Sequence, residues 1–177
     1  LALGVDGHAH KACLDSGGKT IAVIGSGFDY MYPKQHQQLS LAIQENGALI
    51  SEFPPYIPPR PYNFPRRNRV ISGLSLGVLV IEAAEKSGSL ITARFALEQG
   101  RDVFVVPGSI LNPNALGSNQ LIRDGAILVQ SVDDIIQEIK GLVNWTTSKQ
   151  QSLLEPPPET LPMKVKDPLL SLLGETP

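Results

Sequence analysis

Short apolar runs rich in β-branched residues recur along the chain, at Thr20–Ile24, Ala48–Ser51, Val78–Ile81, Val103–Val106 and Ala126–Val129. None shows the strict polar alternation of a strand with one wet face, so each is predicted to be a strand buried on both sides. Between them the apolar positions switch to helical spacing, over Gly7–Asp15, Lys34–Glu45, Arg66–Leu74, Ser89–Gln99 and Ser118–Arg123, with Ser131–Lys140 after the last strand. Alternating strands and helices of this kind predict a doubly wound α/β fold, a mostly parallel sheet with helices on both faces.

The chain opens with Leu1-Ala2-Leu3-Gly4-Val5-Asp6, already in a loop or at a helix start, and we expect a further strand of the sheet ahead of it. Past Lys140 the composition changes. Residues 141–166, with Pro156-Pro157-Pro158, read as a linker, and residues 167–177 end in an apolar piece that reads as the start of another helix. The expected organisation is therefore a core over residues 1–140, a Pro-rich linker and the beginning of a second domain. At 177 residues and 42% hydrophobic content there is material for one well-buried core but not for two full-sized domains. No apolar run is long enough to cross a bilayer as a helix. Cys13 is the single cysteine, which rules out an internal disulfide framework and a Cys-based zinc site; a cytoplasmic address is expected.

In an open parallel sheet ligands bind where loops and helix N-termini meet at the carboxyl ends of the strands. The loop after the first run, Gly25-Ser26-Gly27-Phe28-Asp29-Tyr30, begins like a dinucleotide fingerprint but has Tyr30 where a third glycine is required. Its glycines are better read as a tight turn. The formal net charge of −2 gives no global basic field, so any nucleic-acid site must be local. Such a patch exists. From Phe53 through Ile81 there is no acidic residue, while Arg60, Arg66, Arg67 and Arg69 supply positive charge among Phe53, Tyr56, Tyr62 and Phe64. Guanidinium groups neutralise phosphate and aromatic faces stack on unpaired bases without regard to sequence, the combination used by single-strand binders. Some of these side chains are also expected to pack the loop and cap carbonyls. Asn68 lies between two of the arginines near a helix start.

After the third run comes Glu82-Ala83-Ala84-Glu85-Lys86-Ser87-Gly88-Ser89, where small residues let backbone amides face an anion and a serine can cap the helix. Lys86 stands beside that turn, and Arg94 follows about one and a half helical turns after Ser89. The pattern of a nucleotide-hydrolysing phosphate loop is absent. The fourth loop, Pro107–Asn119, reads equally as a segment that closes over a ligand or as a plain connector. Catalytic candidates are thin. His8 and His10 are two apart, a poor spacing for two ligands on one helical face; Cys13 sits in an apolar setting; Glu52, Glu82 and Glu98 are the acids a catalytic reading would have to use. No metal or cofactor is expected.

Taken together, Phe64-Pro65-Arg66-Arg67-Asn68-Arg69-Val70-Ile71-Ser72-Gly73-Leu74-Ser75, Glu82 with Ser87-Gly88-Ser89-Leu90-Ile91-Thr92-Ala93-Arg94, and Val106-Pro107-Gly108-Ser109 resemble the signature blocks of the bacterial Smf/DprA DNA-processing family, in order and in spacing. The resemblance runs from Leu1 to about Gln137. It implies a Rossmann-like, non-enzymatic core that binds single-stranded DNA and homodimerises. In the family's best-known members such a core hands DNA to the recombinase RecA during natural transformation, the process of competence. It places DNA contact on Lys86, Ser87, Gly88 and Ser89 and supports Arg66, Asn68 and Arg69 near the same cleft, with Phe64, Arg67 and Arg94 completing the candidate set. It also implies a preceding strand whose Gly-Ser/Thr-Arg turn adds a DNA-contacting arginine, and a C-terminal winged-helix domain beginning near Asp167.

The principal rival is an enzyme on a related fold, the nucleotide phosphoribohydrolases that resemble lysine decarboxylases. Those carry a Pro-Gly-Gly-x-Gly-Thr-x-x-Glu loop, where this chain has Pro107-Gly108-Ser109-Ile110. A fold of this type hosts many functions, so the choice rests on the loops and not on the architecture.

Overall fold

The computed structural model describes residues 1–140; the linker expected at 141–166 and the domain start expected at 167–177 lie outside the described residues. The order of elements is α1 (Val5–Asp15), β1 (Thr20–Val23), α2 (Gln37–Glu45), β2 (Gly47–Ile50), α3 (Asn63–Leu74), β3 (Gly77–Val80), α4 (Gly88–Glu98), β4 (Asp102–Val105), α5 (Leu116–Arg123) and β5 (Ile127–Leu128). Single 3₁₀ turns, Lys34–His36 and Pro113–Ala115, lead into α2 and α5, and residues 132–140 are helical.

All strand pairs are parallel, as the apolar runs require. Thr20 lies opposite Gly47 and Val23 opposite Ile50; Gly77 lies opposite Asp102 and Val80 opposite Val105; Phe104 lies opposite Ile127. β1 to β4 end one residue before the apolar run does, and β5 is trimmed at both ends. The reason is visible at Ile24, Val106 and Val129, whose amides donate to Ile50, Val80 and Val105 as the final bond of each pair before the backbone turns away.

The expected sheet is divided. β1 and β2 form one ladder, and β3, β4 and β5 form another in that order. Between the two pieces lies a groove of about 860 Å³ bordered by β1 and β3, with the start of α1 and one face of α3 contributing to its walls. Ile21, Leu79 and Ile81, apolar strand-run residues that a continuous sheet would cover, stay 52%, 43% and 41% exposed. The two ladders have separate cores. Ala22, Ile24 and Ile43 pack with Leu1, Leu39 and Leu49 on one side, and Val80, Ala93, Ala96, Val103 and Val105 pack with Leu90 and Leu121 on the other.

α3 and α4 join the two halves of the sequence through small and polar residues. Ser72, fully buried on α3, donates to Gln99 Oε1 at 2.7 Å, with the Arg69 and Asn68 carbonyls at 3.1 and 3.3 Å as alternative acceptors for the same proton; Gln99 Nε2 donates in turn to the Arg69 carbonyl at 2.9 Å. The orientation of α3, which carries three of the arginines, is fixed by these bonds.

Candidate nucleic-acid interface

The carboxyl ends of β1, β2 and β3 open on the same region, and the loop chemistry there starts from glycine. Gly27 is buried, and a Cβ on it would overlap the carbonyl oxygens of Pro54 and Pro55. Its amide donates to Ile57 O at 2.8 Å, and the Asp29 amide donates to Pro55 O at 3.1 Å. A Cβ on Gly25 would come within 2.8 Å of the Phe64 ring. These glycines therefore admit the Pro-rich loop and the first turn of α3 to the end of β1, in keeping with the tight-turn reading. Ser51 completes the seat by donating to Ser26 O at 2.7 Å.

α3 then sorts its side chains by helical phase. Phe64, Arg67, Asn68 and Ile71 line the groove, because residues three, four and seven apart share a face. Arg66 and Arg69 project elsewhere. Arg66 lies over the Phe53 ring at 5.6 Å from its centre, and Arg60 over Tyr62 at 5.9 Å with a bond to its hydroxyl at 2.8 Å. Arg69 pairs with both carboxylate oxygens of Glu52, at 2.5 and 2.7 Å. Arg67 is the most enclosed of the four: it donates to the Val23 carbonyl at the end of β1 and, at 3.0 Å, to Asn68 Oδ1, and its burial pulls the guanidinium below its ordinary pKa. Its bonds are those of a bracket between α3 and β1. The basic loop thus presents three arginines over aromatic rings, of which Arg67, 6.0 Å from the centre of Phe64, is also built into the groove wall, and a fourth, Arg69, paired with an acid.

Across the groove, Ser87, Gly88, Ser89 and Thr92 face it from α4. Ser87 is the N-cap, accepting from the Ser89 amide at 3.3 Å, and nothing stands within 4 Å of where a Cβ on Gly88 would be, so the backbone is open on that side. Two bonds pin the turn: Ser87 N to Ala84 O and Ser118 N to Ala83 O, both 3.0 Å. Lys86 is exposed beside it. Arg94 does not join this set. Two residues on from Thr92 it points to the opposite side of α4, into a separate hollow of about 670 Å³ with Glu85, Leu97, Leu116 and Arg123.

The fourth loop acts in part as a connector. Asn119 bonds both the amide and the carbonyl of Gly108, at 3.1 and 3.0 Å, closing the loop on itself. It also reaches the groove, since Asn112 Nδ2 donates to Glu82 Oε1 at 2.8 Å. The sequence offers Glu52 as an acid candidate and Glu82 both as an acid candidate and as part of a signature block, and no pattern in the chain pairs them with Arg69 and Asn112. A scan for basic charge that stops at Phe53 misses Glu52 by one residue. Of the histidines, His10 Nδ1 lies 2.7 Å from Thr20 Oγ1, and His36 Nδ1 lies 3.0 Å from the Leu1 carbonyl. Burial lowers His10 to about 4. Among the described residues no three His, Cys, Asp or Glu side chains converge as a metal site. No helix among them is long and apolar enough to cross a membrane.

A family model described as DNA recombination-mediator protein A matches residues 1–140, the whole of the described region. The chain belongs to this family. It is 53% identical over 146 residues to protein Smf of Escherichia coli, an alignment covering 82% of this chain and 39% of that one. The X-ray structure of DNA processing protein A from Streptococcus pneumoniae is similar at a TM-score of 0.70 with 48% identity, covering 76% of this chain and 48% of that one. DNA processing protein A from Helicobacter pylori, whose structure is described for its single-stranded DNA binding mode, is similar at 0.71 with 30% identity, covering 79% and 63%. The chain thus spans less than two thirds of each of these relatives. The family and its α/β fold agree with the resemblance read from the α3, α4 and β4 blocks.

Proposed function

We propose that this chain is the strand-holding core of a DNA-processing protein, binding single-stranded DNA without sequence preference and retaining it instead of cutting it. The observation that carries this is the convergence, at the carboxyl ends of β1 and β3, of the open Ser87-Gly88-Ser89 turn and the α3 face bearing Phe64 and Asn68. Lys86 stands beside the turn, and Arg66 and Arg69 lie one helical phase away. Amides at a helix start and nearby cations suit phosphate, while the rings of Phe53, Tyr56 and Tyr62 on the neighbouring loop suit unpaired bases. The similarity to the Helicobacter pylori protein described for its single-strand binding supports the same reading. Arg67 contributes through the groove wall.

In this proposal the whole protein works as a homodimer in the cytoplasm and presents the bound strand to RecA. Leu128, Val132 and Ile136, exposed at 46%, 70% and 40% near the end of the described region, favour that end for the dimer contact.

The test is fluorescence anisotropy of a labelled oligo-dT and of its duplex over a salt series, with wild type and a Lys86→Ala, Arg66→Ala variant. Single-strand binding that weakens with salt, with a slope shallower by about 0.7 per phosphate contact removed, supports the reading. Equal binding of nucleoside monophosphates and oligonucleotide would favour the phosphoribohydrolase-like alternative and sink it.

A further inference from the structure

Glu82 is the feature of the groove that a phosphate-binding role leaves unexplained. It sits at the end of β3, on the same wall as Ser87 and Gly88, and a carboxylate there repels the polyanion the groove is proposed to hold. The side chain is nevertheless held in place. Asn112 donates to Oε1 at 2.8 Å, and the amide of Asn112 is itself oriented, because its Oδ1 accepts from the Asn114 amide at 3.0 Å. The turn beneath is pinned by Ser118 on Ala83 O, and Gly117 lies so close that a Cβ on it would come within 2.6 Å of Ala84 O. The arrangement is a charged hydrogen-bond acceptor on the groove wall, with Oε1 tied to Asn112 and Oε2 without a partner among the described residues.

The donors that a single strand brings to such an acceptor are the N–H groups of its bases. Thymine and guanine offer ring N–H groups, and adenine, cytosine and guanine offer exocyclic amino groups. Every base therefore has one to give, which preserves tolerance of sequence. In a duplex the ring N–H groups of thymine and guanine are occupied by the complementary strand, while each amino group keeps one hydrogen exposed in a groove, so the discrimination is sharpest at thymine and guanine. We propose that Glu82 is a specificity-determining residue of the groove: its free carboxylate oxygen accepts a hydrogen bond from the Watson–Crick edge of one unpaired base, selecting single-stranded over duplex DNA. This rests on the groove being the DNA site.

The sign of the effect separates this role from simple repulsion. Removing a negative charge near phosphates should tighten all DNA, whereas removing a base acceptor should weaken single strands alone. We would titrate labelled oligo-dT, its duplex, and oligo-dT carrying N3-methylthymine with wild type, Glu82→Ala and Glu82→Gln. Glu82→Gln can still accept from Asn112 but turns an amino group toward the base, so it tests the role with the loop contact kept. The expected result is a roughly tenfold loss of single-strand affinity in both variants, the size of one hydrogen bond to a charged group, with duplex affinity unchanged or higher. N3-methylation should cost wild type about the same factor and the variants nothing. Tightening of single strand and duplex by one common factor, or a methylation penalty equal in wild type and variants, would overturn the role of Glu82 while leaving the groove as the DNA site. Failure of folded wild type to bind any of the three would instead overturn the groove reading itself.

Discussion

Replacing Gly27 with alanine should be among the most damaging single-methyl changes available in this fold. A Cβ there meets the carbonyl oxygens of Pro54 and Pro55, which are backbone atoms and cannot rotate away, so the Pro-rich loop has to lift. Lifting it stretches the Gly27 N–Ile57 O bond of 2.8 Å and the Asp29 N–Pro55 O bond of 3.1 Å. Two bonds at about 1 kcal/mol net each, with an overpacking strain of about 1 to 2 kcal/mol, give an expected destabilisation of about 3 to 4 kcal/mol. Gly88→Ala is the matched control. It adds the same methyl group at the start of α4, into open space, and should change stability by less than about 0.5 kcal/mol. Urea unfolding followed by circular dichroism measures both, with the slope compared to confirm a common unfolded state. Because the displaced loop carries Phe53 and Tyr56, single-strand affinity of Gly27→Ala should also fall where the protein is still folded. If Gly27→Ala proved as stable as Gly88→Ala, the glycines after β1 would not be there for the loop, and the account of how that loop is seated would be wrong.

Arg67 and Arg66 should separate cleanly. Arg67→Ala strips the partner from the Val23 carbonyl and should cost about 1 to 3 kcal/mol in urea unfolding, whereas Arg66→Ala should leave stability within about 0.5 kcal/mol and show itself in DNA titrations. Glu52→Gln breaks an exposed ion pair, so the stability change should stay below about 1 kcal/mol and shrink with added salt; the freed Arg69 should steepen the salt dependence of DNA binding. Stability should fall on acidification between about pH 6.5 and 4, because the unfolded chain protonates His10 near its ordinary value and the folded chain only near 4, so in that window the unfolded state binds more protons. His10→Gln should flatten that part of a stability–pH curve measured by urea unfolding, and an unchanged curve would refute the assignment.

The elements and their order were legible in the chain because strand and helix declare themselves through local period: each apolar run became a parallel strand and each helical stretch a helix, with strand edges moved by about a residue and helix starts by up to three. The basic-aromatic loop and the Ser87-Gly88-Ser89 turn were legible for the same reason, as neighbours in sequence whose chemistry needs no distant partner. What the chain could not show was which arginine does what. Arg66, Arg67 and Arg69 are almost consecutive, yet a helix turns by about 100° at every residue, so their surroundings come from β1, the Pro-rich loop and Glu52.

Arg94 carries the same lesson, since its distance along α4 from Ser89 says nothing until the other wall of the groove is placed. The Glu82–Asn112 contact joins residues 30 apart, and the division of the sheet depends on which strands find partners. The sequence by itself determined the period, the turn chemistry and the sign of local charge, because these are set by neighbours along the backbone. Tertiary structure alone decided burial, ion pairing and the direction of each side chain, because those energies depend on distances between residues that the chain order leaves open.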